Sequence, residues 1–371
     1  MLIDPNCVEG NHWTPLLFAC QNGHLEVVKL LLNDKRIDVN QADFEGITPF
    51  CIACEEGHIE VVKLLLKDNR VDVNKTDKNG WTPFLKVCLN GNTQAVKLLF
   101  NDERVDIGKA TKDGCTPFYG ACEEGHIEVV RLLLNDNRVD VNKSNDNGTT
   151  PFYTACEQGK LDVVKLLLND ERIDINKADH KSVTPLYIAC ESGRIEVVEF
   201  LLNDKRVDVN KATNEGATPL HMACYNRQIE VVKLLFNDER VGINNTTNEG
   251  GTPLYFACTR GHIEIVKYLL ASEREADVKK KCKEKSILSI SKELLIQKFD
   301  KDSEKEKELH KAKKDFLLII ELLEKYQNDY KNTKIKLRMD LNLPSLPGIF
   351  YSFFFFFFSL KFNFFFFFFF E

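Results

Sequence analysis

Apolar and polar positions alternate along the chain with helical spacing, in blocks that recur. In residues 59–66, Ile59, Val61, Val62, Leu64, Leu65 and Leu66 are apolar, with Glu60 and Lys63 between them. That is a broad apolar stripe at helical period. A shorter apolar stretch precedes each such block, LLFAC in the first and PFYTAC in the fifth. A Thr-Pro pair opens the short stretch, which suits an N-cap threonine followed by proline in the first turn. Gly23, Gly57, Gly91, Gly125, Gly159, Gly193 and Gly261 close it, as fits a residue that takes positive φ between two helices. Polar segments such as Lys78-Asn79-Gly80 then read as turns between short extended pieces.

These blocks are one unit repeated. Thr-Pro pairs begin at Thr14, Thr48, Thr82, Thr116, Thr150, Thr184, Thr218 and Thr252, each 34 residues after the last. Cys20, Cys54, Cys88, Cys122, Cys156, Cys190, Cys224 and Cys258 keep the same step. One unit cannot bury its own apolar face but stacked neighbours can, so the pattern predicts an all-α repeat solenoid of helix-turn-helix units with short β-hairpin connections. The unit GCTPFYGACEEGHIEVVRLLLNDNRVDVNK resembles the ankyrin repeat, whose T-P-L-H-x-A signature is met most closely at Thr218, Pro219, Leu220, His221 and Ala223. Relative to that family's period of about 33, the extra residue sits after the second helix, in stretches such as Asn33-Asp34-Lys35-Arg36.

Three segments differ in character. Residues 1–271 form the array, eight full units and a partial one at the N-terminus; residues 272–340 are a charged helical tail; residues 341–371 are rich in Phe. Ile3-Asp4-Pro5-Asn6 stands one period before Ile37-Asp38-Val39-Asn40, so the sequence reads as starting inside a repeat, with a truncated N-terminus or a poorly capped first unit expected. In the tail, Phe316, Ile319, Ile320, Leu323, Tyr326 and Tyr330 share one helical face. That face would cap the last repeat or serve as a separate partner helix. Of 27 Phe residues, 15 lie between Phe350 and Phe370. Residues 349–370 are long enough to span a bilayer, which needs about 20 apolar residues, but Lys361 interrupts them and the composition matches translation of a T-rich tract. A membrane partner is expected only if this segment is genuine.

Departures from the unit mark local adjustments. Lys86 and Val87 replace an apolar or small residue and an alanine in repeat three. Arg227 stands at the inter-helix glycine of repeat seven, and His12 and Ser182 stand at hairpin glycine positions.

The 371 residues carry a formal charge of −6, but residues 1–271 hold 30 basic against 40 acidic residues. An acidic array argues against a nucleic-acid binder. Candidate chemistry dissolves once residues are placed. The cysteine column puts thiols about one repeat apart, too far to share a metal or form disulfides, which leaves them as small buried hydrophobes. Cys7, Cys51, Cys115 and Cys282 lie outside it, and Cys51/Cys54 form a lone C-x-x-C on a predicted helix. So many unpaired thiols favour a reducing, cytoplasmic location. His24, His58, His126 and His262 follow the inter-helix glycine, where Asn92, Lys160, Arg194 and Gln228 stand elsewhere. A place that accepts all these types is read as a helix start, not a catalytic base. No phosphate-binding loop, nucleophile elbow or zinc-protease motif occurs. No enzyme activity, cofactor or metal is expected.

What the resemblance implies instead is a protein–protein interaction scaffold or adaptor. Its binding residues belong to columns that vary between units. These are the residue before Thr-Pro (Trp13, Trp81), the hairpin tips (Phe44, Lys112, His180) and the end of the first helix (Glu55, Glu56, Glu123, Glu124, Glu157, Glu191, Tyr225). Aromatic members are favoured anchors, and the glutamates make the surface acidic, so a monomer binding a basic peptide or protein is expected. Tyr119, Tyr153, Tyr187, His221 and Tyr255 share a first-helix column read as packing between repeats. Two other readings stay open: a tail-anchored adaptor facing the cytosol, and a regulatory piece of a larger protein.

Overall fold

A computed structural model describes residues 6–8, 10, 12–299 and 306–344 of the chain. They fall into two compact units, the chain dividing between Asp208 and Val209. In the first unit, helices Pro15–Gln21, Pro49–Glu55, Pro83–Leu89, Pro117–Glu124, Pro151–Gln158 and Pro185–Glu191 stack on one another. Helices Leu25–Asn33, Ile59–Leu66, Thr93–Phe100, Ile127–Leu134, Leu161–Leu168 and Ile195–Leu202 form a second layer beside them. The second unit holds two more such pairs, Pro219–Tyr225 with Ile229–Asn237 and Pro253–Arg260 with Ile263–Ala271. Helices Ile287–Phe299, Glu306–Asn328 and Tyr330–Asp340 follow. Each unit is an all-α stack of helix-turn-helix repeats.

The helix starts follow from the Thr-Pro pairs. Thr14 Oγ1 accepts the Leu17 N–H at 3.1 Å, and Thr48, Thr82 and Thr116 do the same for Cys51, Leu85 and Tyr119. Such caps are worth about 1 kcal/mol each. Between the helices, Gly57 takes φ 74° and the other inter-helix glycines match it; Arg227 is forced to φ 62°, where a Cβ is strained. Arg227→Gly is therefore expected to raise the stability of repeat seven by roughly 0.5–1 kcal/mol, read as a higher urea midpoint. An unchanged or lower midpoint would show that Arg227's side chain repays the strain.

The connections expected as short hairpins are hydrogen-bonded turns. Asp77 N–H donates to Trp81 O at 3.1 Å and Gly80 N–H to Asp77 O at 3.0 Å. The strand pair among the described residues is Lys281–Cys282 with Lys285–Ser286.

The core lies between the helix layers and along the stacking direction. Phe50, Phe84, Phe118 and Phe152 are fully buried, one per repeat, beside the cysteine column. Burial pushes the Cys20 and Cys51 thiols up to about 12, so they sit as neutral packing groups. Repeat one differs at its outer face. Phe18 is 60% exposed and Leu30 72%, whereas Ile52, the counterpart of Phe18 one period on, is 5% exposed.

Polar ties also cross the seams between repeats within the first unit. The His side chains at the second-helix starts do not cap their own helices. They reach back instead: His58 Nε2 lies 2.8 Å from Gln21 O and His126 Nε2 2.6 Å from Leu89 O. Arg194 makes the same reach, Nε to Glu157 O at 2.7 Å. The segment with the extra residue forms an Asp-x-Arg clip. Arg70 pairs with Asp68 at 2.6 Å and donates to Leu32 O of the preceding repeat at 2.9 Å. Hydrogen bonds from Arg70 hold the Asp68 carboxyl below its usual pKa. At the base of the connections runs an asparagine ladder. Asn40 Nδ2 donates to Arg70 O at 2.7 Å, and Asn40 Oδ1 accepts the Asp72 N–H at 2.8 Å.

The tail packs on repeat eight. Glu306–Asn328 and Tyr330–Asp340 both touch helix Ile263–Ala271, and Ile287–Phe299 touches Pro253–Arg260. Phe316 lies so close to Gly261 that a Cβ there would sit 2.8 Å from its ring. Phe316, Ile319, Ile320, Leu323 and Tyr326 are buried on one helical face, whereas Tyr330, expected on the same face, opens the next helix and is half-buried. Arg338, only 5% exposed, donates to Ala271 O at 2.9 Å and to Pro344 O at 2.7 Å. Its Nη2 is 3.3 Å from Glu273. No helix among the described residues is long and apolar enough to cross a membrane. Residues 349–370, where an anchor was weighed, lie outside the described residues.

Candidate interaction surface

The hairpin tips join into a row through backbone hydrogen bonds. Lys78 N–H donates to Glu45 O at 2.9 Å, Lys112 to Asn79 O at 3.2 Å, Asp146 to Asp113 O at 2.9 Å and His180 to Asn147 O at 3.2 Å. This row fixes the backbone and leaves side chains at the tips exposed, including Lys112 and His180. Phe44 is 49% exposed, its ring 4.0 Å from that of His12, and Trp81 is 36% exposed. Trp13 is half-buried with its ring edge-on to Phe18 at 5.7 Å. Tyr119, Tyr153 and Tyr187 are buried, in keeping with packing; Tyr119 Oη lies 3.2 Å from Thr149 Oγ1.

The first-helix ends do not form one uniform acidic column. In repeats two and three Lys86 intervenes. It is buried, and its Nζ lies 2.7 Å from Glu55 Oε2 and 3.7 Å from Asp77 Oδ2. Burial works against its charge, yet Cys51, Glu55 and Asp77 together hold its pKa above the ordinary lysine value. Glu55 is thus paired with Lys86 while itself exposed, as is Glu56 beside it. Leu89 replaces the glutamate in repeat three and packs on Gly120, where a Cβ would come within 2.9 Å of it. Tyr225 is covered by the Arg260 guanidinium, 3.7 Å from the ring centroid.

Repeats four to six keep the acidic character. Glu123, Glu157 and Glu191 are half-buried, and Glu124 is exposed. Burial raises the Glu123 pKa, and repulsion from Glu124 and Glu157 adds to it, with Lys160 partly offsetting. Burial likewise raises Glu157, with Glu191 adding and Arg194 offsetting. Glu191 is raised by burial and eased by Lys181. A cation placed against these carboxylates would relieve both effects.

The lysine tie, the Asp-x-Arg clip and the asparagine ladder went unrecognised in the sequence. The recurrence of Asp-x-Arg and Asn-Lys every 34 residues was a visible signal, but it did not name the acceptors. Among the described residues no group of three or more His, Cys, Asp or Glu is arranged to hold a metal ion.

The repeated helix pairs, the threonine caps and the left-handed glycine turns define a class of stacked-repeat proteins. The family model for ankyrin repeats in three copies matches residues 1–77, 66–145, 133–213 and 205–282, and the chain belongs to that family. A comparison with curated proteins returned no match. Ankyrin repeats are in general protein–protein interaction modules, and their domains are typically non-enzymatic.

Proposed function

We propose that the chain is a non-enzymatic scaffold that grips a basic peptide or protein segment along repeats four to six. Residues 1–271 are the binding array in this reading, and residues 272–340 cap it. The observation that carries it is the set Glu123, Glu157 and Glu191, half-buried at one position of three successive repeats, each with its pKa raised by burial. Partly desolvated carboxylates attract a cation more strongly than exposed ones and give specificity and association rate. Phe44 and Trp81 supply exposed aromatic surface in the preceding repeats. The partner is a protein rather than a nucleic acid, because the array is acidic. The protein acts as a monomer in the cytoplasm, in line with its many free thiols.

Binding of Lys/Arg-rich peptides to the full chain, followed by calorimetry, tests the proposal. Affinity should fall as salt rises. Glu157→Gln should weaken binding about 5- to 10-fold, or roughly 1–1.4 kcal/mol. Because the carboxylates protonate above their usual range, affinity should drop earlier on acidification than ordinary glutamates would give. Preference for acidic peptides, or no change with Glu157→Gln, would refute it.

A further inference from the structure

The asparagine ladder has a rung missing. Asn6, Asn74, Asn142, Asn176, Asn210 and Asn244 repeat what Asn40 does. Asn74 Nδ2 donates to Arg104 O at 2.6 Å, and Asn74 Oδ1 accepts the Asp106 N–H at 2.8 Å. Asn142 makes the equivalent bonds to Arg172 O at 2.6 Å and from Asp174 N–H at 2.9 Å. The residue between them in this series is Gly108. Across from it, Arg138 O and Asp140 N–H make no hydrogen bond within the described residues.

Two other ties are absent at the same seam. Lys109 Nζ donates to Asn74 O at 3.0 Å and Lys177 Nζ to Asn142 O at 2.9 Å, but Lys143 makes no such bond. Arg104 reaches Leu66 O at 2.7 Å and Arg206 reaches Leu168 O at 2.7 Å. Arg138 instead stands over the Phe100 ring, 5.2 Å from its centroid.

Neither backbone nor space calls for a glycine here. Gly108 is not among the residues with positive φ, and the nearest atom to a Cβ built on it is Asp106 Oδ1 at 3.8 Å. The tip side of the same seam stays tied, by Asp146 N–H to Asp113 O at 2.9 Å and by His126 to Leu89 O at 2.6 Å.

We propose that the seam between repeats three and four is a hinge: the ladder side at Gly108 opens while the tip row acts as the pivot. Repeats one to three then swing against repeats four to six. The spacing between Trp81 on one side and the glutamates beginning at Glu123 on the other changes with the swing. The hinge does not depend on the identity of the partner.

Hydrogen exchange on the full chain tests it. The Asp140 amide should exchange at least about tenfold faster than those of Asp72, Asp106 and Asp174, which corresponds to about 1.4 kcal/mol of opening free energy. Gly108→Asn should restore the slow rate at Asp140. It should also slow exchange at the facing ends of helices Thr93–Phe100 and Ile127–Leu134, which the new side chain does not bond. Asn74→Gly should create a second fast seam, at Asp106. Equal exchange at all four aspartates, or a Gly108→Asn effect confined to the Asp140 amide, would overturn the hinge.

Discussion

A chain ended at Ser286 is expected to lose about 3–6 kcal/mol of stability in repeats seven and eight. Such a chain keeps the loop that Asn244 holds through Glu275 O at 2.8 Å, but it lacks the three tail helices. Helix Ile263–Ala271 would then show water the surface that Glu306–Asn328 and Tyr330–Asp340 now cover. Uncovering the equivalent of two apolar side chains, at about 1.5–3 kcal/mol each, sets the size of the loss. Arg338→Ala in the full chain is a gentler form of the same experiment. It removes the donor to Ala271 O and Pro344 O and should cost roughly 2–3 kcal/mol, because the interaction is charged and buried. Exchange rates in Pro253–Arg260 and Ile263–Ala271 provide the readout. Unaltered protection in both would mean that the tail rides on the array without supporting it.

The second large effect is one of pH. His221 takes the place that Tyr119, Tyr153 and Tyr187 hold in other repeats, and it is fully buried. Its Nδ1 accepts the Thr218 N–H at 3.0 Å, which leaves Nε2 carrying the proton toward Gly251 O at 3.0 Å. Burial lowers its pKa from 6.5 to about 4, with hydrogen bonds to the Gly251 and Asn245 backbones opposing the fall. The folded imidazole therefore stays neutral where the unfolded one takes a proton. Stability in the second unit is unaffected above pH about 6.5 and is lost as pH falls from there toward 4, by up to roughly 3 kcal/mol. His221→Tyr should flatten that part of the curve. Exchange in Pro219–Tyr225 between pH 7 and 4 is a suitable measure, since both tryptophans lie in the first unit. An equally steep loss in the tyrosine variant would place the titrating group elsewhere.

The helices and turns were legible because their causes are local. A threonine accepting from the amide three residues on, or a glycine at positive φ, leaves its mark within one unit, and a period of 34 multiplies the mark. Even the irregular Arg227, Ser182 and His12 adopt the positive φ that their positions required. The binding surface was less legible. Glu55 and Glu123 occupy the same column, and only the packed structure shows that Lys86 engages the first while Glu123 faces other carboxylates. His58 reads as the start of its own helix, yet its ring bonds to Gln21, 37 residues back. Contacts of that reach depend on how repeats stack, which periodicity fixes only on average.

The ladder bears on how such a chain can change length. Apart from the seam at Gly108, donor and acceptor of the ladder bonds recur at the same interval, so unequal recombination that removes one whole interval rejoins equivalent partners. Excision of residues 75–108 would set Asn74 directly before Lys109 and bring its amide opposite Arg138 and Asp140. The shortened descendant would have lost the interruption along with the repeat, so copy number and stiffness are inherited together.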